Sequence, residues 1–548
     1  MAISRRNFSK SVLIAGAGVA ASGAVNAEIT DRTVATFNHG VASGDPLSDR
    51  VIIWTRVTPL DDIPTTLFVN YRVARDIDFQ QVVIEQQTIT DQNQDYTVKL
   101  DITNLDPDTT YYYQFECEGQ VSQIGRTKTL PAGFTEHLRL AFVSCSNYAY
   151  GYFNVYGMLA ERPDLDAILH LGDYIYEYGD GEYGDVPGRN PEPRGETTNL
   201  SEYRQRYAQY RTDADLQEVH RQHPFICVWD DHESANNAYQ DGAENHTEGS
   251  EGRWTDRKAD SVRAYYEWMP IRQVDANDPA RIFRRFTFGN LMDLMMLDTR
   301  LYGRDRAPSF PSNSQSRRLL GDTQFNWLAD QLSDSKDNGV QWRILGQQVI
   351  MAFVRALGTP YNLDQWDGYP GERQRVIDHL KDNDIDNTAI ITGDIHSSWA
   401  LDVADRPYRS LRRDPRRGYD GDTGEGSVAV EFVCPAVTSP GLSNNAFRGL
   451  LLGGNPHLKE VELTRRGYVL LDVNADRIQA EWYHAQSITQ QGNRNQELAF
   501  VFQTRDGENR LTRVNNSQVS TPKSESAPLV PDFVEEILES IWNLGNLS

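Results

Sequence analysis

Four stretches of the sequence share one layout, an apolar run of strand length that stops abruptly in a polar cluster. Residues 138–143 end in Ser144-Cys145-Ser146-Asn147, and 167–171 in Gly172-Asp173-Tyr174-Ile175-Tyr176. Residues 225–229 end in Asp230-Asp231-His232-Glu233, and 389–392 in Gly393-Asp394-Ile395-His396. Each cluster alone is ordinary. Gly-Asp after a strand makes a turn, an acidic run suits a helix N-terminus, and a lone cysteine is usually core. Together they supply thiolate, carboxylate, phenolate and imidazole, all competent metal ligands. Ligands of open sheets bind beyond the carboxyl ends of strands, so the four clusters can converge. The chemistry open to such a set is metal-assisted hydrolysis of phosphate esters, which depends on charge neutralisation and positioning.

The order Gly-Asp, then Asp-His-Glu, then Gly-x-x-His resembles the calcineurin-type metallophosphoesterases. Further residues narrow the resemblance to the PhoD-type alkaline phosphatases. They are Phe37-Asn38-His39-Gly40-Val41-Ala42-Ser43-Gly44-Asp45-Pro46, Ser144-Cys145-Ser146 where the wider superfamily has Asp-x-His, Glu177 after Tyr176, and Trp229 before Asp230. Leu297-Asp298-Thr299-Arg300 and Leu345-Gly346-Gln347-Gln348 complete the set. The resemblance implies an α+β chain, a four-layer α/β/β/α metallophosphoesterase sandwich preceded by a small fibronectin-like β-sandwich. It implies Fe(III) on Cys145, Asp173, Tyr176 and His396. It also implies one or more Ca(II) on Asp173, Asp231 and Asp394, with Asp173 shared. Thiolate and phenolate donors favour the ferric state, and carboxylate oxygens suit calcium. Asp231 stands where the superfamily often has Asn, so Asn236 or Asn237 is the alternative ligand. His232 has two readings, a donor to the leaving group or a structural histidine beside the ligands. Arg300 either clamps a phosphate oxygen through its fork or pairs with Asp298 or another acid. His170, inside an apolar strand, reads as core, and His39 as structural.

The elements that must position these residues fall into blocks. Residues 37–132 read as β, with strands at 51–57, 67–73, 95–102 and 111–115. The turn at Leu105-Asp106-Pro107, feeding Tyr111-Tyr112-Tyr113, is similar to the tyrosine corner of fibronectin-type sandwiches. Residues 129–133 form a linker. From 138 to 475, apolar strands alternate with helical stretches such as 203–217 and 323–332, as in a catalytic α/β unit. The remaining extension, 476–548, ends with Phe533, Val534, Ile537, Leu538, Ile541 and Trp542 at helical spacing, an amphipathic helix. The resemblance suggests this helix as a lid. The loop 178–199, rich in Gly, Pro and acids, is expected to shape the entrance.

Arg5-Arg6-Asn7-Phe8, a mild Ala/Gly-rich stretch and Val25-Asn26-Ala27 make residues 1–27 similar to a twin-arginine signal peptide. The expected route is the twin-arginine machinery, and the expected place periplasmic or secreted. A length of 548 residues exceeds one small core. Beyond the N-terminus no apolar run reaches membrane-spanning length. The formal net charge of −24 repels nucleic-acid phosphates, so nucleic-acid binding is not expected. Four cysteines, Cys117, Cys145, Cys227 and Cys434, show no CxxC spacing and make no disulfide scaffold. The expected function is an exported phosphoesterase releasing phosphate from monoesters or diesters, either small molecules or phospholipid and polymer diesters. A phospholipase D-like diesterase is the alternative. A non-catalytic binding protein is the competing class, and the complete ligand set argues against it.

Overall fold

The computed structural model describes residues 35–60, 66–520 and 527–531. The expected signal peptide over 1–27 and the amphipathic helix expected over 533–542 lie outside the described residues.

The catalytic layers are built from two sheets. The first has ten strands in the order Thr512–Val514, Gln496–Arg505, Arg477–Ala485, Gly467–Asn474, His137–Val143, Ala167–His170, Pro224–Cys227, Val41–Gly44, Arg50–Arg56 and Thr97–Thr103. The second has seven, in the order Arg284–Phe288, Met292–Met296, Trp342–Gly346, Thr388–Thr392, Ser427–Val433, Ser398–Ala404 and Leu458–Glu462. The central strands of both are parallel and buried on both faces, which is why they read as unbroken apolar runs. Successive residues still point to opposite layers. Leu294, Ile344 and Ile391 join the core shared with Leu140, Phe142 and Leu470 of the first sheet. Their neighbours Met295, Leu345 and Ile390 pack with Leu328 and Leu332 of helix Gly321–Asp337, and with Val376, Ile377 and Leu380 of helix Pro370–Asp382. Helices Leu200–Tyr210, Ala214–Gln222 and Trp254–Trp268 join the core of the first sheet. The result is the expected α/β/β/α sandwich. Where the sequence reads one helix over 203–217, the chain breaks at Arg211-Thr212. Asp213 then caps a second helix by accepting from the N–H groups of Asp215 and Leu216.

The N-terminal sandwich has an outer sheet of Gly125–Lys128, Thr110–Cys117, Leu67–Ala74 and Val82–Thr90. Strand Leu67–Ala74 alternates between buried and partly exposed positions, as a sheet with one wet face should. Tyr111 closes a tyrosine corner, its hydroxyl accepting from the Asp106 N–H at 2.9 Å. The facing sheet is not separate from the catalytic layers. Strands Val41–Gly44, Arg50–Arg56 and Thr97–Thr103 continue the ten-stranded sheet through a parallel pairing of Ser43 and Gly44 with Pro224 and Phe225. Gly44 permits that approach, because a Cβ there would lie 2.4 Å from Pro270 O and 2.5 Å from Phe225 O. Asp45 then locks the join through its ion pair with Arg284 at 2.6 Å. The Ser43-Gly44-Asp45 motif is therefore an anchor between layers.

The first sheet also continues past residue 475, where the sequence reading ends the catalytic unit. Hairpin partners Gly467–Asn474 and Arg477–Ala485 pair along their length, and two more strands follow. The turn between them, Ala475-Asp476, looks like a boundary in sequence but joins paired strands. The final described residues, 527–531, dock beside helix Ala214–Gln222. There the Val530 N–H donates to Gln222 Oε1 at 2.9 Å and the Tyr112 hydroxyl to Pro528 O at 2.8 Å.

Candidate metal centre

The carboxyl ends of His137–Val143, Ala167–His170, Pro224–Cys227 and Thr388–Thr392 meet at one edge of the two sheets. A bridge between Ser144 and Ala436 ties the sheets together there. Two glycines of the strand-end motifs let the ends approach. A Cβ on Gly172 would lie 2.4 Å from Asp230 Cβ, and one on Gly393 would lie 2.6 Å from Ser144 Cβ. Immediately beyond, the backbone turns sharply. Cys145, Asp173, Asp394 and His396 all occupy the left-handed region, with φ of 63°, 55°, 62° and 56°. Non-glycine residues take this conformation rarely, and clusters of it mark functional sites. The strain is held by hydrogen bonds. Cys145 N–H donates to Gly172 O, Ser146 N–H to Asp173 O, and Glu233 accepts from the N–H groups of Asp173, Tyr174 and Asp230.

The side chains form three overlapping donor groups, each with ligand atoms within 4.8 Å of one another: Cys145, Asp173 and His396; Asp173, Asp231 and His232; Asp230, Asp231 and Asp394. The Tyr176 hydroxyl joins the first, donating to Asp173 Oδ2 at 2.9 Å and lying 3.2 Å from His396 Nε2. Ser439 Oγ donates to that same phenol oxygen at 2.6 Å. All six expected ligands are thus brought together. The Asn236 N–H donates to Glu177, and Asn237 gives its N–H to Asp231 Oδ2 at 2.6 Å while its side chain turns to Glu244.

His232 and Arg300 are also in the cluster. The His232 ring stacks on Tyr176 with centroids 4.3 Å apart, and its Nδ1 lies 2.7 Å from Glu177 Oε2. Burial pushes its pKa down, but Glu177, Asp231 and Asp173 outweigh that and hold it well above the usual imidazole range. Arg300 is fully buried, with Nε on Asp230, Nη1 on Asp364 and Nη2 on Asp394 Oδ1. Its partner is not Asp298, whose carboxylate accepts the backbone N–H of Arg300 and Leu301 and the Trp229 indole N–H. The guanidinium lies within the carboxylate cluster, paired with Asp230, Asp364 and Asp394. His170 is core, bonded to the Tyr156 hydroxyl, and His39 meets Thr58 and the edge of Trp268.

With protein charges alone the cluster is over-supplied with acid. Burial pushes Asp173 and Asp230 well above the usual carboxylate range and Asp394 up to about 6, Arg300 opposing it in the last two. Asp231 is held at about 2 despite burial, by Arg300, His232 and the Asn237 N–H. Asp230 Oδ2 is buried without a hydrogen-bond partner among the described residues. A buried, unpartnered carboxylate oxygen amid acids and soft donors is what bound cations satisfy, so the residues present fit metal ions. Sequence reasoning missed Glu177 and Glu233 as supports, although both were in view within motifs. It also missed Asp364, which lies in a loop with no strand-end pattern to flag it.

Overlapping donor groups at the joined edges of two stacked sheets are the arrangement of a metal-dependent hydrolase. The chain matches the PhoD-like phosphatase family over residues 140–482, and the N-terminal domain of PhoD-like phosphatases over residues 22–131. Alkaline phosphatase D of Bacillus subtilis (strain 168) is 35% identical over 482 residues, spanning 83% of this chain and 79% of that protein. The solved structure of PhoD aligns with a TM-score of 0.79 at 33% identity, covering 88% of this chain and 93% of its own. The chain belongs to the PhoD-like phosphatase family and is a phosphoric ester hydrolase.

Proposed function

We propose that the protein is an exported phosphoesterase that cleaves phosphate monoesters and diesters at a mixed Fe(III) and Ca(II) centre. Cys145, Asp173, Tyr176 and His396 would hold the iron, and Asp173, Asp231 and Asp394 the calcium. The observation that carries this reading is the asymmetry of the donors about Asp173. The Cys145 thiol, the Tyr176 phenol and the His396 imidazole group with it on one side, while on the other stand the carboxylates of Asp230, Asp231 and Asp394, with His232 turned to Glu177. Bound there, the cations would supply charge neutralisation for the phosphate oxygens and would acidify the attacking water. The twin-arginine signature at Arg5-Arg6 supports export of the folded, loaded protein.

The residues of the chain divide the remaining work. Water adds to phosphorus as the ester P–O bond breaks, and the leaving oxygen needs a proton. His232, kept protonated by Glu177 and steadied by the Tyr176 ring, is placed to give it. Arg300 acts as a positioning residue that holds Asp230 and Asp394 against each other's charge. Glu233 fixes the backbone that aims Asp173. Tyr178 and Tyr183 on the entrance loop pack against His232 and screen it from water.

The test is Cys145→Ala beside wild type on a chromogenic phosphodiester, with iron and calcium measured in both. We expect hydrolysis and iron to fall together, along with any visible colour, while calcium is retained. Equal activity in the two proteins, or full activity in protein containing neither metal, would rule the reading out.

A further inference from the structure

The chain is strongly acidic overall, yet residues 406–417 of one loop carry six arginines against one acid, Asp414, before Asp420, Asp422 and Glu425 follow. Between strands Ser398–Ala404 and Ser427–Val433 stand Arg406, Arg409, Arg412, Arg413, Arg416 and Arg417. Arg406 pairs with Asp414 at 3.0 Å and Arg417 with Asp405 at 2.5 Å. The guanidinium groups of Arg409, Arg412, Arg413 and Arg416 are exposed, and none has a carboxylate partner among the described residues. The loop is nonetheless pinned. Tyr419 N–H donates to Arg409 O, Arg413 N–H to Ser410 O, and Lys381 Nζ to Arg416 O.

Beside it lies an unusual apolar surface. Leu357, at the tip of the hairpin Arg355–Ala356 and Thr359–Pro360, is 81% exposed. Phe447 and Leu450, at and within helix Arg448–Gly454, are 56% and 38% exposed. Leu442 is exposed on the segment that leads to this helix from Ser439, the residue bonded to Tyr176 in the metal centre. Tyr408 and Asn455 fasten the three pieces together. The Tyr408 hydroxyl lies 2.9 Å from Phe353 O and 2.6 Å from Asn455 Oδ1, and the Arg355 guanidinium sits 4.0 Å above its ring. Asn455 in turn exchanges hydrogen bonds with both the N–H and the C=O of Arg355.

The segments that carry the unpaired guanidinium groups and the exposed apolar side chains are thus tied together through Tyr408 and Asn455, and Leu442 follows closely on Ser439 of the candidate metal centre. We infer that this surface docks the enzyme on an anionic phospholipid bilayer, with the arginines on headgroup phosphates and Leu357 and Phe447 in the interfacial layer. Basic clusters beside exposed apolar side chains are the signature of such docking. A soluble polyanion would use the arginines but has no need of Leu357 or Phe447. Charges beyond a Debye length of about 8 Å are screened, so of the chain's negative charge it is mainly the acids of the loop itself that oppose contact.

Co-sedimentation of the full chain with phosphatidylcholine vesicles, with and without phosphatidylglycerol, tests the inference. Wild type should bind the anionic vesicles, and less so as salt rises. Each surface arginine contributes about fivefold to partitioning. Arg409→Gln, Arg412→Gln, Arg413→Gln and Arg416→Gln combined should lower binding on the order of several hundredfold. Leu357→Ser with Phe447→Ser should lower the part of the binding that survives high salt. Hydrolysis of a soluble chromogenic phosphodiester should be unchanged in every variant, which separates this surface from the reaction and confirms folding. Wild type that stays in the supernatant with every vesicle would overturn the inference, as would a quadruple variant that binds like wild type. So would soluble polyphosphate that competes fully while the two apolar substitutions change nothing, since that marks a general polyanion site.

Discussion

The strand His137–Val143 buries charge at both of its ends, and the two ends are opposites. At its start, Arg139 reaches Asp472 at 3.0 Å and Glu481 at 3.2 Å, while Arg477 and His137 also meet Asp472. Three acids, counting Asp164 at 2.8 Å from Arg139 Nε, face Arg139, Arg477 and His137, and the account closes within the chain. At its far end, Asp230, Asp231, Asp364 and Asp394 share one buried guanidinium, Arg300, with Asp173 beside them near His232, and the backbone is left-handed at Cys145, Asp173, Asp394 and His396. The first cluster is architecture. The second has a surplus of acid that only something from outside can satisfy. Buried charge alone does not mark a site; buried charge in imbalance does.

The contrast can be broken in several ways. The largest effect should come from Asp173→Asn, which removes the carboxylate common to two donor groups. Phosphodiester hydrolysis should fall by more than about 10³-fold in kcat/KM, about 4 kcal/mol, while metal-free protein becomes no less stable to urea, because a surplus charge has gone. Next, Arg139→Met should cost about 3–5 kcal/mol of stability by stranding the buried Glu481, while Asp472 keeps Arg477 and His137, with kcat/KM of the folded protein unchanged. If instead Arg139→Met abolished hydrolysis without loss of stability, the two ends would not be different in kind. Chelation should lower the stability of wild type by about 3 kcal/mol for sites held at a hundredfold above Kd, and that of Asp173→Asn by clearly less, read by thermal melting with and without chelator. The smallest effect concerns acid. Hydrogen bonds from His137 and Ser520 hold Asp472 down at about 2 although burial opposes them. A depressed carboxylate stabilises above its unfolded pKa near 3.8 and loses that contribution as pH falls toward 2. Between those values wild type should lose on the order of 1–2 kcal/mol more than Asp472→Asn in urea titrations.

Much of the site was legible because its residues follow apolar runs. Cys145, Asp173, Tyr176, Asp231, Asp394 and His396 each sit just past a strand, and the break from apolar to polar is visible in any one sequence. Asp364 was not legible, because it reaches Arg300 from an irregular loop whose own pattern is silent. Neither was the commitment of Arg300 to Asp230 and Asp394, since sequence places an arginine at a strand end without showing its neighbours. The same limit applies to the fold. Strand Leu67–Ala74 shows its alternation, but Val82–Thr90, mostly exposed on the sandwich edge, has no apolar period to read. The pairing of Gly44 with Phe225 joins segments far apart in the chain, and long-range pairing leaves no local trace.

The continuity of the ten-stranded sheet also sets an order of events in time. Val41–Gly44 cannot find its partner until residue 224 exists, and His137–Val143 stays unpaired on one side until Gly467–Asn474 arrives. Contacts of such separation close slowly, and an open edge in the interim invites pairing with other chains. Completion of the fold is therefore a late event that needs nearly the whole polypeptide. A chain shortened before residue 467 would keep every residue of the candidate metal centre and lose the strand that seals the one from which Cys145 projects.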